Sequence, residues 1–209
     1  MPKLLRLEES KHVRGRVLVF FEGAELVRLT ASEVLEHRLY AGKELSPEEY
    51  EALVDQSRLT SAKHRAAVLV SRTLVSRAEL IARLMQKGER PQDCEAAAVW
   101  LEGLGLLDDA KTAATVVRHY AARGYGRKKI ESELFRRKIP REYWADALSE
   151  LGDGSEVLNR LVERKLRGRV PDEKELGRLQ GYLLRRGFSW QQVKEALERY
   201  GAEDDAFEG

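Results

Sequence analysis

The stretch Leu104–Ile139, LGLLDDAKTAATVVRHYAARGYGRKKIESELFRRKI, decides the fold of this chain. An apolar lead-in ends at Leu107 and meets the acidic pair Asp108-Asp109. Acids there complement the positive end of a helix dipole, so the pair reads as a helix start rather than as metal ligands. A helix of small residues follows from Ala110 to Ala122, and Gly124-Tyr125-Gly126 breaks it. That Gly-x-Gly resembles the opening of a dinucleotide-binding loop, but the third glycine and a preceding strand are missing. It reads instead as a helix-to-helix turn into a second helix, rich in Arg and Lys, that carries Ile130 and Leu134.

Outward from this stretch the pattern repeats. Lys87-Gly88, Arg137-Lys138 and Arg186-Gly187 align at intervals of about 50 residues, the period of a short helical array. Before each lies an amphipathic helix: Leu80 and Leu84; Ile130 and Leu134; Leu176, Leu179 and Leu183. After each comes a break and another helix: Ala97, Trp100 and Leu101; Trp144, Ala147 and Leu148; Val193, Ala196, Leu197 and Tyr200. An earlier helix opens each unit, over Ala62 to Leu74, Ala110 to Ala122 and Glu156 to Arg167. Ser76-x-x-Glu79, Asp172-x-x-Glu175 and Ser189-x-x-Gln192 mark helix starts chemically, because the first side chain and the acid or amide three residues later cap each other's backbone.

The N-terminal part differs. Val17, Val19 and Phe21 alternate with Leu18 and Phe20, and Glu22-Gly23-Ala24-Glu25 supplies a turn before Leu26 to Leu29, which predicts a β-hairpin. Such a hairpin is marginal alone and needs a helix to cover it. Thr30 or Ser32 then caps a short helix from Glu33 to Tyr40, ended by Gly42. Ser46-Pro47-Glu48-Glu49 is a strong helix start, with an N-cap Ser, Pro at the first helical position and Glu at the third. The fold class is therefore mainly α: three tandem three-helix repeats in an elongated, curved array, with a small N-terminal β-hairpin and helix extension. The boundaries read 1–59 for the extension, 60–107, 108–152 and 153–205 for the repeats, and 206–209 for an acidic tail.

Composition narrows the function. The N-terminus lacks the charged-then-apolar design of a signal peptide and no apolar run is long enough to span a bilayer, which points to the cytoplasm. The single cysteine, Cys94, cannot form an internal disulfide, and its acidic neighbours Asp93 and Glu95 would raise rather than lower its pKa. His12, His37, His64 and His119 are scattered, without metal-ligand spacing. No catalytic constellation, metal site or cofactor loop emerges, so the chain reads as a non-enzyme without cofactors. The lack of a coiled-coil seam points to a monomer.

The cations carry more information. Between Arg118 and Arg141 nine Arg or Lys residues face two acids, Glu131 and Glu133, in a chain whose formal net charge is +2. On the helix from Glu156, Leu158, Leu161, Val162 and Leu166 face inward, while Arg160, Arg164 and Arg167 form one opposite row. The next helix repeats the design, with Lys174, Arg178 and Arg185 outward and Gly181 in the same row, where a partner's backbone could approach closely. In the middle repeat Lys128, Lys129 and Arg136 point away from the core, with Glu133 placed to neutralise Lys129 and Arg136. Solvated helix faces are the usual role of such residues. Three helices with outward cations against a nearly neutral total favour a surface for a polyanion or an acidic protein. Aromatic residues near these rows are few, so base stacking is not prominent there.

The ordered set of motifs resembles the RecX family, regulators of the RecA recombinase. The resemblance rests on Leu104-Gly-Leu-Leu-Asp-Asp109 with the Ala-rich helix ending Val116-Val117-Arg118, on Gly126-x-x-x-Ile130-x-x-Glu133-Leu134, and on Arg137-Lys138-Ile139. Ser76-Arg77-Ala78-Glu79-Leu80, Leu84 and Lys87-Gly88 match the first repeat, and Leu39 to Ser46 resembles the leader of longer members. Two departures stand out: Thr112-Ala113 replaces an aromatic-Ala pair, and Lys138 replaces the glycine of a Lys-Gly-Ile turn. The resemblance implies a modulator that docks in the groove of the RecA–DNA filament, inhibits ATP hydrolysis and strand exchange or destabilises filaments, and acts in DNA repair, recombination and the SOS response. Partners would be the RecA filament and, weakly and without sequence preference, DNA. Joined to the charge pattern, it makes Arg118, Arg123, Arg127, Lys128, Lys129, Arg136, Arg137, Arg160, Arg164, Arg167, Lys174, Arg178 and Arg185 the candidate RecA and DNA contacts. The alternative is a helix-turn-helix-like DNA-binding regulator that acts without RecA. No helix carries the Asn, Gln and Arg cluster of a base-reading N-terminus, which argues against it. A scaffold repeat protein with no nucleic-acid link is a third reading.

Overall fold

The computed structural model describes residues 1–201, so the 206–209 tail and the end of the third repeat lie outside the described residues. Two compact units divide at Leu107 and Asp108.

The first unit opens with an antiparallel sheet in the order β1 (Leu4–Glu9), β2 (Arg16–Phe21), β3 (Val27–Thr30). It is a three-stranded meander rather than a two-stranded hairpin. Its first strand is hard to read because the register shifts between Leu4 and Arg6, leaving Leu5 half exposed and interrupting the alternation. Val19, Val27 and Leu29 are fully buried beneath the sheet, against Leu39, Leu45 and Leu53. Thr30 caps α1 (Ala31–Glu36) in a reciprocal capping box with Glu33. This helix is shorter than the expected run to Tyr40. His37 closes it and Arg38 turns left-handed at φ +48°, several residues before Gly42.

Ser46 and Glu49 form the second capping box and start α2 (Pro47–Arg72), a single helix of 26 residues. Its first half meets the sheet, where Leu53 enters the sheet core and the Ser57 hydroxyl accepts the Arg28 amide at 2.8 Å. Its second half places Ala62 and Ala66 in a separate core with α3 (Arg77–Gln86) and α4 (Pro91–Gly103). A boundary at residue 59 therefore falls inside one continuous helix. Burial first, then the charges of Glu89, Asp93 and Glu95, push the Cys94 thiol upward.

The second unit contains α5 (Asp109–Ala122), α6 (Arg127–Arg136), a 3-10 turn (Arg141–Tyr143) and α7 (Trp144–Ser149), then α8 (Ser155–Leu166), α9 (Glu173–Arg185) and α10 (Trp190–Gly201). Asp108 caps α5 by accepting the Lys111 amide at 2.9 Å, which lowers its carboxyl pKa. The core of α5–α7 gathers Ala113, Val116, Val117, Ile130, Leu134, Ile139 and Leu148. The core of α8–α10 gathers Leu158, Leu161, Val162, Leu179, Leu183, Phe188 and Val193. At about 1.5–3 kcal/mol per buried large aliphatic side chain, cores this small gain from a packed neighbour.

The aligned turns have one geometry. Gly88, Lys138 and Gly187, each two residues beyond its helix end, are all left-handed, at φ +86°, +54° and +91°. The repeat thus closes α3, α6 and α9 with the same C-terminal turn, and at Lys138 a side-chain-bearing residue adopts the conformation glycine favours. Among the described residues no helix is long and apolar enough to cross a membrane.

Candidate functional site

The second and third repeats are joined backbone to backbone. The Gly126 amide donates to the Arg186 carbonyl at 2.8 Å, and the Lys128 amide donates to the Gly187 carbonyl at 3.1 Å. A Cβ on Gly126 would stand 2.5 Å from the Gly187 oxygen, and one on Gly187 would stand 2.3 Å from the Lys129 nitrogen. Only two glycines permit that approach. Arg186 locks it: its Nη1 donates to the carbonyls of Arg123 (2.6 Å) and Gly124 (3.3 Å), while its guanidinium lies 4.7 Å from the Tyr125 ring and 5.2 Å from the Tyr182 ring. Gln192 adds a hydrogen bond to the Asp153 carbonyl.

Two grooves flank this seam. One, of about 520 Å³, has Val157 and Leu161 in its wall and Arg123, Arg160 and Arg164 around it. The other, of about 480 Å³, runs between the α5–α6 turn and the α7–α8 connection, with Tyr125, Phe188, Arg127 and Lys128 in its lining. They share Ala121 and Val157, so they adjoin, and together they make up the candidate trough. Its cations present hydrogen-bond donors over an apolar base, which suits phosphates or carboxylates on a chain that also offers apolar contact.

The structure thus brings Arg123, Arg160, Arg164, Arg127 and Lys128 together. Arg160, Arg164, Arg167, Lys174, Arg178 and Arg185 are exposed on α8 and α9 and form no ion pair among the described residues. Arg167 occupies the left-handed C-cap of α8. Gly181 does not leave the open approach expected of it, because the Arg185 guanidinium lies over it, 3.2 Å from where a Cβ would stand.

Other candidates are engaged. Glu133 is buried and accepts from Arg136 (2.8 and 2.6 Å) and Arg137 (2.7 Å), rather than pairing with Lys129. Arg136, and then Arg137, outweigh burial and hold its carboxyl at about 2. Arg127 pairs with Glu131 at 2.8 Å while keeping an exposed side chain. Arg118 lies 4.0 Å from Glu150, an exposed contact worth little. Lys129 stays exposed, with its backbone against Gly187.

Arg186, which holds the seam, is the residue that sequence reading overlooks. Its signal was the Arg-Gly pair that aligns the repeats, read as a turn marker instead of as a bolt between them. No group of three or more His, Cys, Asp or Glu side chains that could hold a metal ion occurs among the described residues.

Comparison with known proteins agrees with this architecture. The family description "RecX, second three-helix domain" matches residues 108–148, and "RecX, third three-helix domain" matches 153–197. The regulatory protein RecX of Pseudomonas fluorescens is 33% identical over 148 residues, covering 70% of this chain and 96% of that protein. The regulatory protein RecX of Chlorobium limicola is 32% identical over 151 residues, covering 70% and 93%. A crystal structure of regulatory protein RecX superposes with a TM-score of 0.71 at 23% identity, over 95% of this chain and all (100%) of that one. The crystal structure of RecX from Lactobacillus salivarius gives 0.61 at 21% identity, over 69% and 97%. The two solved structures share the fold, and the sequence relatives, matched over nearly their whole length, place this chain in the RecX family of regulatory proteins.

Proposed function

We propose that this protein is a non-enzymatic inhibitor of RecA recombinase that lies in the groove of the RecA–DNA filament and suppresses ATP hydrolysis and strand exchange. The observation that carries the reading is the set of cations on the second and third repeats that have no acidic partner among the described residues. Arg123, Arg160 and Arg164 surround one groove, and Lys174, Arg178 and Arg185 line α9. Charges that find no acid among the described residues are available to an acidic protein surface or to DNA phosphate, and a large part of their binding energy comes from counterion release. A rigid module wedged between filament subunits would block the subunit motion that hydrolysis requires and the path of an incoming duplex. This role places the protein in the cytoplasm, as a monomer, in recombination, DNA repair and the SOS response.

The test is single-stranded-DNA-dependent ATP hydrolysis by the cognate RecA, titrated with this protein. Suppression at substoichiometric ratios is the expected result, and it should weaken in the Arg123→Gln/Arg160→Gln/Arg164→Gln variant. No effect at large excess would sink the recombinase reading. Unchanged hydrolysis together with selective binding of one duplex sequence would point to the DNA-binding regulator.

A further inference from the structure

A second cationic cleft lies in the first unit, on residues that the reading above does not use. It is about 280 Å³ and forms where the β1–β2 connection hangs over the middle of α2. Arg14 and Arg16 come from the connection and the start of β2. Lys63 and His64 come from α2, and Trp100 from α4. Ser10 shapes the connection: its hydroxyl accepts the His12 and Val13 amides at 3.3 and 3.2 Å, and its amide donates to the Arg16 carbonyl at 2.8 Å. The two arginines therefore stand on an ordered turn.

None of Arg14, Arg16, Lys63 and His64 forms an ion pair among the described residues. The one carboxylate in the cleft, Glu33, is buried and already saturated by neutral donors: the Thr30 amide and hydroxyl, Gln56 and Thr60, at 2.6 to 3.0 Å. It caps α1 and leaves the cations without an acidic partner among the described residues. Burial and then the neighbouring cations Arg28 and Arg65 lower the basicity of Arg16, and burial with Arg16 and Arg65 lowers that of His64. Like charges gathered in a cleft oppose folding unless an anion visits them. The Trp100 indole lies beside them, 5.7 Å from the Lys63 ammonium, and gives the cleft an aromatic platform.

We infer that this cleft is a separate nucleic-acid site, holding the phosphates of a single strand on Arg14, Arg16 and Lys63 while a base stacks on Trp100. Alternating phosphate and base is the pattern that a cation cluster beside an indole fits, and stacking tolerates any base. The inference stands on the first unit alone and goes beyond the filament reading.

The experiment measures binding of a fluorescein-labelled oligothymidylate to the full chain across a salt series. It is done in the Arg123→Gln/Arg160→Gln/Arg164→Gln background, so that failure of the trough and failure of the cleft are told apart. Adding Arg14→Gln, Arg16→Gln and Lys63→Gln should weaken binding roughly tenfold and reduce the slope of log affinity against log salt by about 2, three phosphates at about 0.7 each. Trp100→Leu should weaken binding several-fold and leave the slope unchanged, because it removes stacking and no charge. Lys63→Gln alone, an exchange on a helix surface, keeps the test valid if the triple variant fails to fold, with an expected slope change near 0.7. Unchanged affinity and slope in folded variants would overturn the site. Loss of binding in the charge variants with no effect of Trp100→Leu would overturn the single-strand assignment, as would poly-glutamate displacing the oligonucleotide at lower concentration than unlabelled oligothymidylate.

Discussion

Helices α6 and α9 occupy equivalent places in successive repeats and carry similar numbers of cations, yet the charges are disposed differently. On α6 a buried glutamate holds Arg136 and Arg137, and Glu131 holds Arg127. On α9, Lys174, Arg178 and Arg185 have no acid to hold them among the described residues. The turns differ as well. Gly187 has another backbone against it, whereas Lys138 is exposed and tolerates its side chain at positive φ. The lesson is that cation density in a sequence measures potential, while the arrangement of acids decides how much of it faces outward.

Gly187→Ala attacks the comparison where the expected effect is largest. The methyl group would have to displace the α6 backbone and accept φ +91°, so a loss of about 3 kcal/mol is expected by chemical denaturation. Lys138→Ala, which changes neither the backbone conformation nor a buried contact, should stay within about 0.5 kcal/mol. Comparable losses would mean that the seam does not distinguish the two turns.

Glu133→Gln comes next, at about 2 kcal/mol near neutral pH, an amount that allows for solvent screening at the exposed Arg136. The folded carboxyl sits at about 2, below the ordinary 4.5, so its contribution is complete above pH 4.5 and drains away as pH falls toward 2. Acid titration of stability should show a shallower decline for the glutamine variant in that window. Parallel curves would show that the two arginines do not hold the carboxylate in solution.

Reversing the α9 row with Lys174→Glu, Arg178→Glu and Arg185→Glu should weaken filament or DNA binding roughly tenfold with little change in melting temperature, since surface charges contribute to binding through phosphates and counterions more than to folding. Arg136→Gln on α6 should change binding less than about twofold, because that guanidinium is already engaged with Glu133. Equal effects of the two variants in a binding assay would erase the distinction between the faces. A gain is expected at the other turn: Lys138→Gly should stabilise the chain by about 0.5–1 kcal/mol by relieving the left-handed residue. A loss of stability would show that the turn tolerates lysine without strain.

Helix starts were the most legible part of the fold. Ser46, Ser76, Asp108 and Asp172 all cap as their sequence context implies, because a cap is a contact across three residues. The repeat period was legible through the turns, although one of the three lacks glycine. The first strand was obscured by its bulge, and α2 was divided in two because one helix serves two cores whose apolar patterns change midway. The cations of the candidate trough could be listed from the sequence but not sorted. The pairing of Glu133 lay within reach of helical spacing, whereas Arg186 acts on carbonyls more than sixty positions away.

By itself, then, the amino-acid order determined what local chemistry controls: caps, left-handed turns, amphipathic faces and the three-helix period, since each depends on residues within a turn or two of one another. Only the tertiary structure decided that Gly126 and Gly187 must both be bare, that Arg186 bolts one repeat to the next, and that Arg14, Arg16, Lys63 and Trp100 converge on one cleft. Those facts depend on distances between residues far apart in the chain, and such distances exist only after the apolar faces have found their partners and closed the loops between them.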